Sequence, residues 1–298
     1  MTQISAAMVK ELRQRTGAGM MDCKRALEGV GGDLEKAIEA MRLSGQAKAD
    51  RKADRVAAEG VVAITLDEEA GRAVMVEVNC ETDFVAKEQA FRDFADNICR
   101  RIFEDSPEDV QALGALPFEK AGEGATIDEA RRELVARIGE NIGIRRFAIV
   151  DAREGRLASY LHGVRIGVIV ELDGGDMTCA RDIAMHVAAS RPLAIGESDV
   201  PEDTLESERR IIEGQIKDSG KPPEIQQKML EGRMRKYLQE VTLLGQPFVK
   251  DSDQSVERYL EAAGASVNRF ERFEVGEGIE KKSDDFAAEV MSQVRSNS

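Results

Sequence analysis

The stretch that decides the architecture is residues 76–91, VEVNCETDFVAKEQAF. It begins as a strand, because Val76 and Val78 alternate with polar residues, and it ends in the apolar spacing of a helix. Between the two lies a turn that places the acid Asp83 directly before Phe84. Only 4% of the 298 residues are aromatic, so a phenylalanine at this turn calls for a reason.

The sequence allows two interpretations of Phe84. The side chain could fold back on the helix that follows, as a hydrophobic staple against Phe91 or Ile98. Alternatively, it could stand exposed, because a rigid ring at a turn offers a partner a large apolar area at small entropic cost. The residues alone leave both interpretations open.

Charge and hydropathy limit the function classes. Charged residues make up 33% of the chain, the mean hydropathy is -0.36, and no apolar run approaches the roughly 20 residues that span a bilayer. The net charge of -14 argues against nonspecific binding to nucleic acid, which depends on contacts with phosphates. Residues 1–55 differ from the rest, with 11 Lys/Arg against 8 Asp/Glu. We therefore expect neither a membrane nor a nucleic acid as a direct partner.

The cysteines indicate a reducing compartment. Four of them are scattered without a C-x-x-C pair, which favours neither a disulfide framework nor a zinc ribbon: Cys23, Cys80, Cys99 and Cys179. The first residues also lack the pattern of a signal or transit peptide. We expect a cytoplasmic protein.

The usual catalytic signatures are not found. The sequence has no G-x-x-x-x-G-K-[ST], no G-x-S-x-G and no H-E-x-x-H. An enzyme could still pair Cys80 with His162 or His186, since such pairs are spatial rather than sequential. Buried, inert cysteines are commoner than activated ones, however, and we expect His186 in the core and His162 at an exposed strand end. The chain reads as a binding protein or regulator without a cofactor, not as an enzyme.

The chain divides into elements of mixed type. Three short helices fill the first 45 residues, with Asp33 as a helix cap, and residues 44–60 read as a polar connector. Strands at 61–67 and 72–79 form a hairpin, a helix follows at about 86–103, and Thr126 with Glu129 forms a capping box. The segments IRRFAIVD and RLASYLH predict another hairpin around 152–155, followed by a strand and a helix. Two related α+β subdomains with antiparallel sheets are indicated.

Residues 201–241 predict two long polar helices with narrow apolar stripes. They should project as an antiparallel coiled-coil hairpin, either solvated or in contact with a second copy or another partner. The chain then returns to a strand at 264–275, and a last short helix presents Phe286 and Val290 on one side.

Several long motifs resemble one known family, bacterial translation elongation factor Ts. They occur in the family's order: VKELRQRTGAGMMDCKRALEG, EVNCETDFVAKE, ARIGENIGIRR, HGVRIGV, IAMHVAAS, GKPPEIQQKMLEGRMRKY, LLGQPFV and RFEVGEGIEKK. The resemblance implies a guanine nucleotide exchange factor for elongation factor Tu, which promotes GDP release by disturbing the site that holds magnesium and phosphates. A scaffold that binds its partners without driving release is the alternative.

The resemblance also implies contact residues and a domain plan. The T-D-F-V motif falls on Thr82, Asp83, Phe84 and Val85, and further partner contacts fall on Lys10, Met20, Met21, Lys24, Ile138, Gly139 and His162. The implied parts are a UBA-like bundle with its connector (1–55), two core subdomains (56–143 and 144–278), a coiled-coil insertion at about 197–243 that offers dimer contacts for a 2:2 complex, and a C-terminal module with its helix (279–298).

Overall fold

Three helices begin the computed structural model, which describes residues 4–119, 125–152, 155–217 and 220–280. They are α1 (Ala6–Thr16), α2 (Met20–Gly29) and α3 (Leu34–Asp50). The predicted cap is confirmed, since the Asp33 side chain accepts a hydrogen bond from the Lys36 backbone N–H. Leu12, Cys23 and Leu27 are fully buried where the helices meet. The three predicted helices are therefore present and share a small core.

The polar connector predicted at 44–60 is wrong in its first part. Helix α3 continues to Asp50, and Ala49 is buried in the main core. Gly45 packs so closely on α7 (Ile127–Ile138) that an added Cβ would lie 3.3 Å from the Ala136 methyl. Small side chains, rather than large apolar ones, let the two helices approach, and the apolar pattern does not reveal this.

The first sheet is antiparallel with the order β1-β2-β3. Its strands are β1 (Glu59–Asp67), β2 (Arg72–Cys80) and β3 (Ile142–Asp151). Glu59 is paired with Cys80 at one end and Asp67 with Arg72 at the other, which confirms the first predicted hairpin. One face packs on α5 (Gln89–Asp105) through fully buried side chains such as Phe91 and Ile98. The short helix α6 (Val110–Ala115) and α7, with its predicted capping box of Thr126 and Glu129, complete this layer.

The single helix predicted at about 86–103 is instead two helices. The first, α4 (Asp83–Lys87), has five residues, and α5 begins at Gln89. Glu88 separates them with an extended backbone (φ -67°, ψ 135°). This break lets α4 bury Val85 and Ala86 without following the direction of α5.

The second sheet is antiparallel with the order β4-β5-β8. Its strands are β4 (Arg156–His162), β5 (Ile166–Gly174) and β8 (Ala265–Glu274). Helix α8 (Met177–Ser190) covers its outer face. The remaining elements of this half are the paired β6 (Pro247–Phe248) and β7 (Asp251–Ser255), and α11 (Val256–Ala263).

The second predicted hairpin is wrong, because β3 and β4 belong to different sheets. The two sheets pack face to face through apolar side chains such as Met75, Leu157 and Phe273. The approach is close at Gly167, where a Cβ would lie 2.5 Å from Val62 Cγ1. Burial of β3 and β4 on facing sheets satisfies the same alternating pattern that a hairpin would, so the pattern could not separate the two.

Residues 202–217 and 223–241 form two helices that run side by side in opposite directions. Helix α9 (Glu202–Lys217) follows a 3₁₀ turn at Glu197–Asp199 and packs its C-terminal half on the N-terminal half of α10 (Pro223–Val241). Ile212, Ile216 and Leu230 are buried between them. The C-terminal helix predicted with Phe286 and Val290 lies outside the described residues. In the part of the chain that the structure describes, no helix is long and apolar enough to cross a membrane.

A buried carboxylate joins the first sheet to the segment after β8. Glu77 is fully buried and accepts hydrogen bonds from Arg146 Nε (2.7 Å), Arg145 Nη1 (3.0 Å) and the Gly276 backbone N–H (2.8 Å). A further bond comes from Asn79 Nδ2 at 3.0 Å. Burial raises the pKa of Glu77, but these four donors together outweigh it, so the net pKa lies below its ordinary value.

Replacing this carboxylate should make stability depend on pH in a defined way. At pH 7 we expect Glu77→Gln to lower the free energy of unfolding by about 3 kcal/mol, because charged donors then lose a buried partner. A carboxylate with a lowered folded-state pKa contributes fully above the unfolded-state pKa of about 4.3, and its contribution disappears as pH falls through the folded-state value. Urea unfolding at pH 7 and at pH 3 measures the difference between the two proteins.

The difference should be smaller at pH 3 than at pH 7, and a difference that stays constant would contradict the assignment. Glu69→Gln is the control, since Glu69 is exposed in the β1–β2 turn and its replacement should change stability by less than about 0.5 kcal/mol.

Candidate functional site

Phe84 is the exposed aromatic of the β2–α4 turn. Its side chain is 76% exposed, whereas Phe91 and Ile98 are fully buried. The staple interpretation is therefore wrong. The reason is the break at Glu88, which turns Val85 and Ala86 rather than Phe84 toward the core.

Asp83 and Lys87 flank the ring on the surface. Lys87 Nζ lies 2.6 Å from Asp83 Oδ2 and 5.8 Å from the centroid of the Phe84 ring. The hydrogen bond from Lys87 lowers the pKa of the Asp83 carboxyl, so this acid is ionised next to the ring. The site thus combines an apolar ring with a charged pair on one helical turn.

Thr82 fixes the start of the helix that carries the ring. It is the N-cap of α4, and its Oγ1 accepts a hydrogen bond from the Val85 backbone N–H at 3.4 Å. Val85 itself is buried in the core of the first sheet. Of the four residues of the T-D-F-V motif, two are exposed, one caps the helix and one anchors it from inside.

Two glutamates hold this turn to the loop after α7. Glu140 accepts hydrogen bonds from Thr82 N (2.9 Å) and Thr82 Oγ1 (2.7 Å). In the reverse direction, Glu81 accepts one from the Asn141 backbone N–H at 2.6 Å. We refer to Glu81, Thr82, Glu140 and Asn141 as the carboxylate clasp. Neither glutamate was predicted from the sequence. The available signal was their position, since each directly adjoins a predicted contact motif.

The clasp also holds the chain that leaves α3. Asn141 Nδ2 donates to the carbonyl oxygens of Ala53 (3.1 Å) and Arg55 (2.8 Å), and Arg55 Nη1 lies 3.3 Å from Glu81. Lys52 Nζ donates to the carbonyl of Gly139. The second part of the predicted connector is therefore bonded to the same loop.

The other contacts predicted for the core lie at the end of α7 and at the end of β4. Ile138 ends α7 and is half-buried, and Gly139 caps that helix in a left-handed conformation (φ 93°), which favours glycine. His162 is exposed at the end of β4, where Nδ1 lies 3.2 Å from the Tyr160 hydroxyl. Three residues further on, Arg165 forms an ion pair with Glu59, the strand partner of Cys80.

The predicted contacts of the N-terminal helices lie on α1 and α2. Met20 and Met21 begin α2 with 59% and 64% of their side chains exposed. Lys10 is exposed on α1, and Lys24 lies on α2 at 3.7 Å from Glu28. The helices meet the core where Gly17 approaches Arg137 of α7. Two adjacent exposed methionines form an adaptable apolar surface.

Cys80 and His186, two of the three residues considered for an enzyme, are buried and hydrogen-bonded. The Cys80 thiol is buried and donates to the Thr82 carbonyl at 3.2 Å, and burial raises its pKa to about 12. His186 is fully buried, with Nε2 at 2.9 Å from Gln246 Oε1 and Nδ1 accepting from the Val249 N–H at 3.1 Å. Burial lowers the pKa of this histidine despite the bond to Gln246. Within the described ranges, no group of three or more His, Cys, Asp or Glu residues could hold a metal ion.

These thiols should react slowly in the folded protein. All four cysteines are buried and free, and burial raises the pKa of Cys99 to about 11 as well as that of Cys80. Because a thiol of pKa near 12 has over a thousandfold less thiolate at pH 8 than an ordinary one, we expect labelling of Cys80 by a disulfide reagent to be at least about a hundredfold slower than in urea. Labelling followed by mass spectrometry of the peptides measures this, and rapid native labelling of Cys80 would contradict the assignment.

The site presents an exposed aromatic ring on a turn that buried and hydrogen-bonded residues hold in place. Apolar anchors of this kind bind other proteins, since a fixed ring loses little entropy on contact. The described geometry is thus that of a protein that acts by binding another protein.

Comparison with known proteins gives the family. A family model described as Elongation factor TS matches residues 81–277. Elongation factor Ts of Thioalkalivibrio sulfidiphilus is 55% identical over 293 residues, which cover 98% of this chain and 99% of the relative. The protein of the same name from Methylococcus capsulatus is 54% identical over 99% of both chains, and that from Alkalilimnicola ehrlichii 53% identical over 98% and 99%. The chain belongs to the elongation factor Ts family.

Proposed function

We propose that this chain promotes GDP release from elongation factor Tu by inserting Phe84, with Asp83 beside it, into the GTPase domain of that partner. Membership of the elongation factor Ts family carries the role itself: the chain is a guanine nucleotide exchange factor in translation elongation. The observation that supports Phe84 as the inserted group is its 76% exposure on a turn in which Val85 is buried and Thr82 is bonded to Glu140.

The proposed mechanism is mechanical. A P-loop GTPase holds its nucleotide through backbone N–H groups, a lysine and magnesium around the phosphates. A ring wedged between helices of the GTPase domain displaces part of this cradle, so several charge-assisted contacts weaken together. A loss of about 4 kcal/mol would speed release roughly a thousandfold if it appeared wholly in the dissociation barrier.

The remaining predicted contacts fit a broad interface in this proposal. Ile138, Gly139 and His162 extend the surface around the turn, and Met20 with Met21 adds an apolar patch on the N-terminal helices. Lys10 and Lys24 supply positive charge there. Such an interface would orient the chain so that Phe84 reaches the GTPase domain.

Removal of the ring tests the proposal. We expect Phe84→Ala to slow stimulated release of labelled GDP from elongation factor Tu roughly thirtyfold, corresponding to loss of an interface anchor worth about 2 kcal/mol. The free energy of unfolding should change by less than about 0.5 kcal/mol, because the ring is largely exposed. Stopped-flow fluorescence of the labelled nucleotide gives the rates.

Leu193→Ala is the matched control, since Leu193 is also a half-exposed large apolar residue but lies outside the predicted contacts. Unchanged release with Phe84→Ala would remove Phe84 from the mechanism. A chain that binds elongation factor Tu without altering GDP release at all would instead be the scaffold of the alternative interpretation.

A variant with all four cysteines replaced should keep exchange activity, whereas an enzyme based on Cys80 would lose its chemistry.

The finer architecture belongs to the same proposal. We propose that the N-terminal helices form a UBA-like bundle, that α9 and α10 act as a coiled-coil hairpin, and that residues 279–298 form a C-terminal module with a further partner contact. The domain division at 1–55, 56–143, 144–278 and 279–298 remains a prediction, with β3 paired to β2 in the first sheet. A cytoplasmic location follows from a role in translation.

The helical hairpin offers a surface for a second copy of this chain. Ile212, Ile216 and Leu230 are buried between the helices, while Ile211 and Ile225 remain about half exposed. We expect the chain to sediment as a dimer at micromolar concentration and the pair Ile211→Glu and Ile225→Glu to shift it to monomer, because burying a charge without a partner opposes the contact. Leu43→Glu, at an exposed residue of α3, is the control. A wild-type monomer, or a dimer indifferent to the hairpin changes, would contradict this assignment.

A further inference from the structure

The Glu140 carboxylate uses both of its oxygens on one residue of the Phe84 turn. Oε2 accepts the Thr82 backbone N–H at 2.9 Å, and Oε1 accepts the Thr82 hydroxyl at 2.7 Å. Glu140 and Thr82 are 58 positions apart in the chain, and both are partly buried. Hydrogen bonds to an ionised acceptor are shorter and stronger than those between neutral groups.

We propose that Glu140 is a positioning residue for exchange: it sets the direction of Phe84 through Thr82 and touches neither nucleotide nor magnesium. This inference rests on the proposed function and adds to it a residue that the contact motifs do not include. It states how the chain keeps an exposed ring in one orientation before it meets its partner.

The Thr82 hydroxyl connects Glu140 to the start of the helix that carries Phe84. A hydroxyl has a single hydrogen, and donation of that hydrogen to Glu140 leaves its lone pairs for the Val85 N–H, which it accepts at 3.4 Å. The N-cap bond and the clasp bond are therefore made by one oriented group. Without Glu140 the hydroxyl is free to rotate, and the Thr82 N–H loses its acceptor.

The helix that carries Phe84 is too short to be stable without tertiary contacts. Helix α4 has five residues, fewer than an isolated helix needs to be stable in water. Its position depends on Val85, which is buried in the core, and on Thr82, which caps the helix and is bonded to Glu140. Loss of one of these supports should let the ring sample other directions while the sheet beneath stays folded.

The backbone around Glu140 is itself fixed, so the residue can act as a rigid support. Gly139 on one side receives a hydrogen bond from Lys52, and Asn141 on the other donates to Glu81 at 2.6 Å. Asn141 also donates to the carbonyl oxygens of Ala53 and Arg55. The loop at 139–141 is thus tied both to the Phe84 turn and to the chain that leaves α3.

A double-mutant cycle on GDP release tests the proposal with the full chain and elongation factor Tu. We expect Glu140→Ala to slow stimulated release about tenfold, because only a fraction of the molecules then presents the ring correctly. Phe84→Ala should slow it roughly thirtyfold, and the double variant should equal Phe84→Ala rather than show the roughly three-hundredfold product. Glu69→Ala, an exposed glutamate at the far end of the β1–β2 pair, is the control for loss of a surface charge.

The outcomes separate the two claims. If Phe84→Ala leaves release unchanged, the proposed function of Phe84 fails and the positioning role fails with it. If Phe84→Ala slows release but Glu140→Ala does not, or if the two effects multiply, only the role of Glu140 is overturned. Should Glu140→Ala not fold, Glu140→Gln replaces it, with one acceptor kept and about threefold slower release expected.

Amide hydrogen exchange in the free protein gives a second readout that activity does not enter. In Glu140→Ala, exchange at the Thr82 and Val85 amides should accelerate at least about tenfold, while the amides of Val76 and Val78 in the sheet keep their rates. Unchanged protection at Thr82 would overturn the proposal, and so would faster exchange throughout the first sheet, which indicates a general loss of stability.

Discussion

The arrangement of the site depends on one constraint: an exposed ring must be held by a backbone that is not itself exposed. Phe84 stands on a helix of five residues, and the order of that helix comes from Val85 below and from the clasp at Thr82. A ring on a loose loop would have to be ordered when the partner binds, and each ordered residue opposes binding by about 1–2 kcal/mol. In the proposed function, these two carboxylates and the buried valine would hold the exposed phenylalanine ready for contact with the partner.

The two packed sheets bring the rest of the surface to this turn. Ile138 and His162 are far from Phe84 in sequence, yet α7 leads directly into the clasp, and the loop after β4 is bonded to β1, since Val62 N donates to the Val164 carbonyl at 2.8 Å. The absence of a Cβ at Gly167 permits the close approach of the sheets, and buried Glu77 fixes the segment after β8 to β2 and β3. These contacts tie the two sheets and the segment after β8 into one frame.

The sequence predicted local structure well, but it did not predict where the Phe84 side chain points or which strand pairs with β3. Helix caps such as Asp33 and Thr126 were predicted correctly, because a cap is decided by residues three positions apart. The direction of the Phe84 side chain was left open, since its exposure depends on the break in the helix at Glu88, which the residue pattern does not indicate. The pairing of β3 with β2 instead of β4 was missed for a similar reason: two facing sheets and one hairpin bury the same alternate residues. The motif resemblance predicts Phe84 as a partner contact without indicating what holds it.

Magnitudes argue that the ring does not act alone. Complete burial of a phenylalanine contributes about 1.5–3 kcal/mol, which is less than the roughly 4 kcal/mol that a thousandfold acceleration requires. In the proposed mechanism the remainder would come from contacts that form only when the GTPase domain has moved, and the predicted contacts Ile138, Gly139 and His162 are the candidates for them. Thermodynamic linkage makes the weakening reciprocal. If this chain weakens nucleotide binding to its partner by some factor, the nucleotide weakens the binding of this chain by the same factor. Arrival of either GDP or GTP therefore releases the factor, and exchange toward GTP is decided by the nucleotide present in excess, because no bond is made that could favour one product.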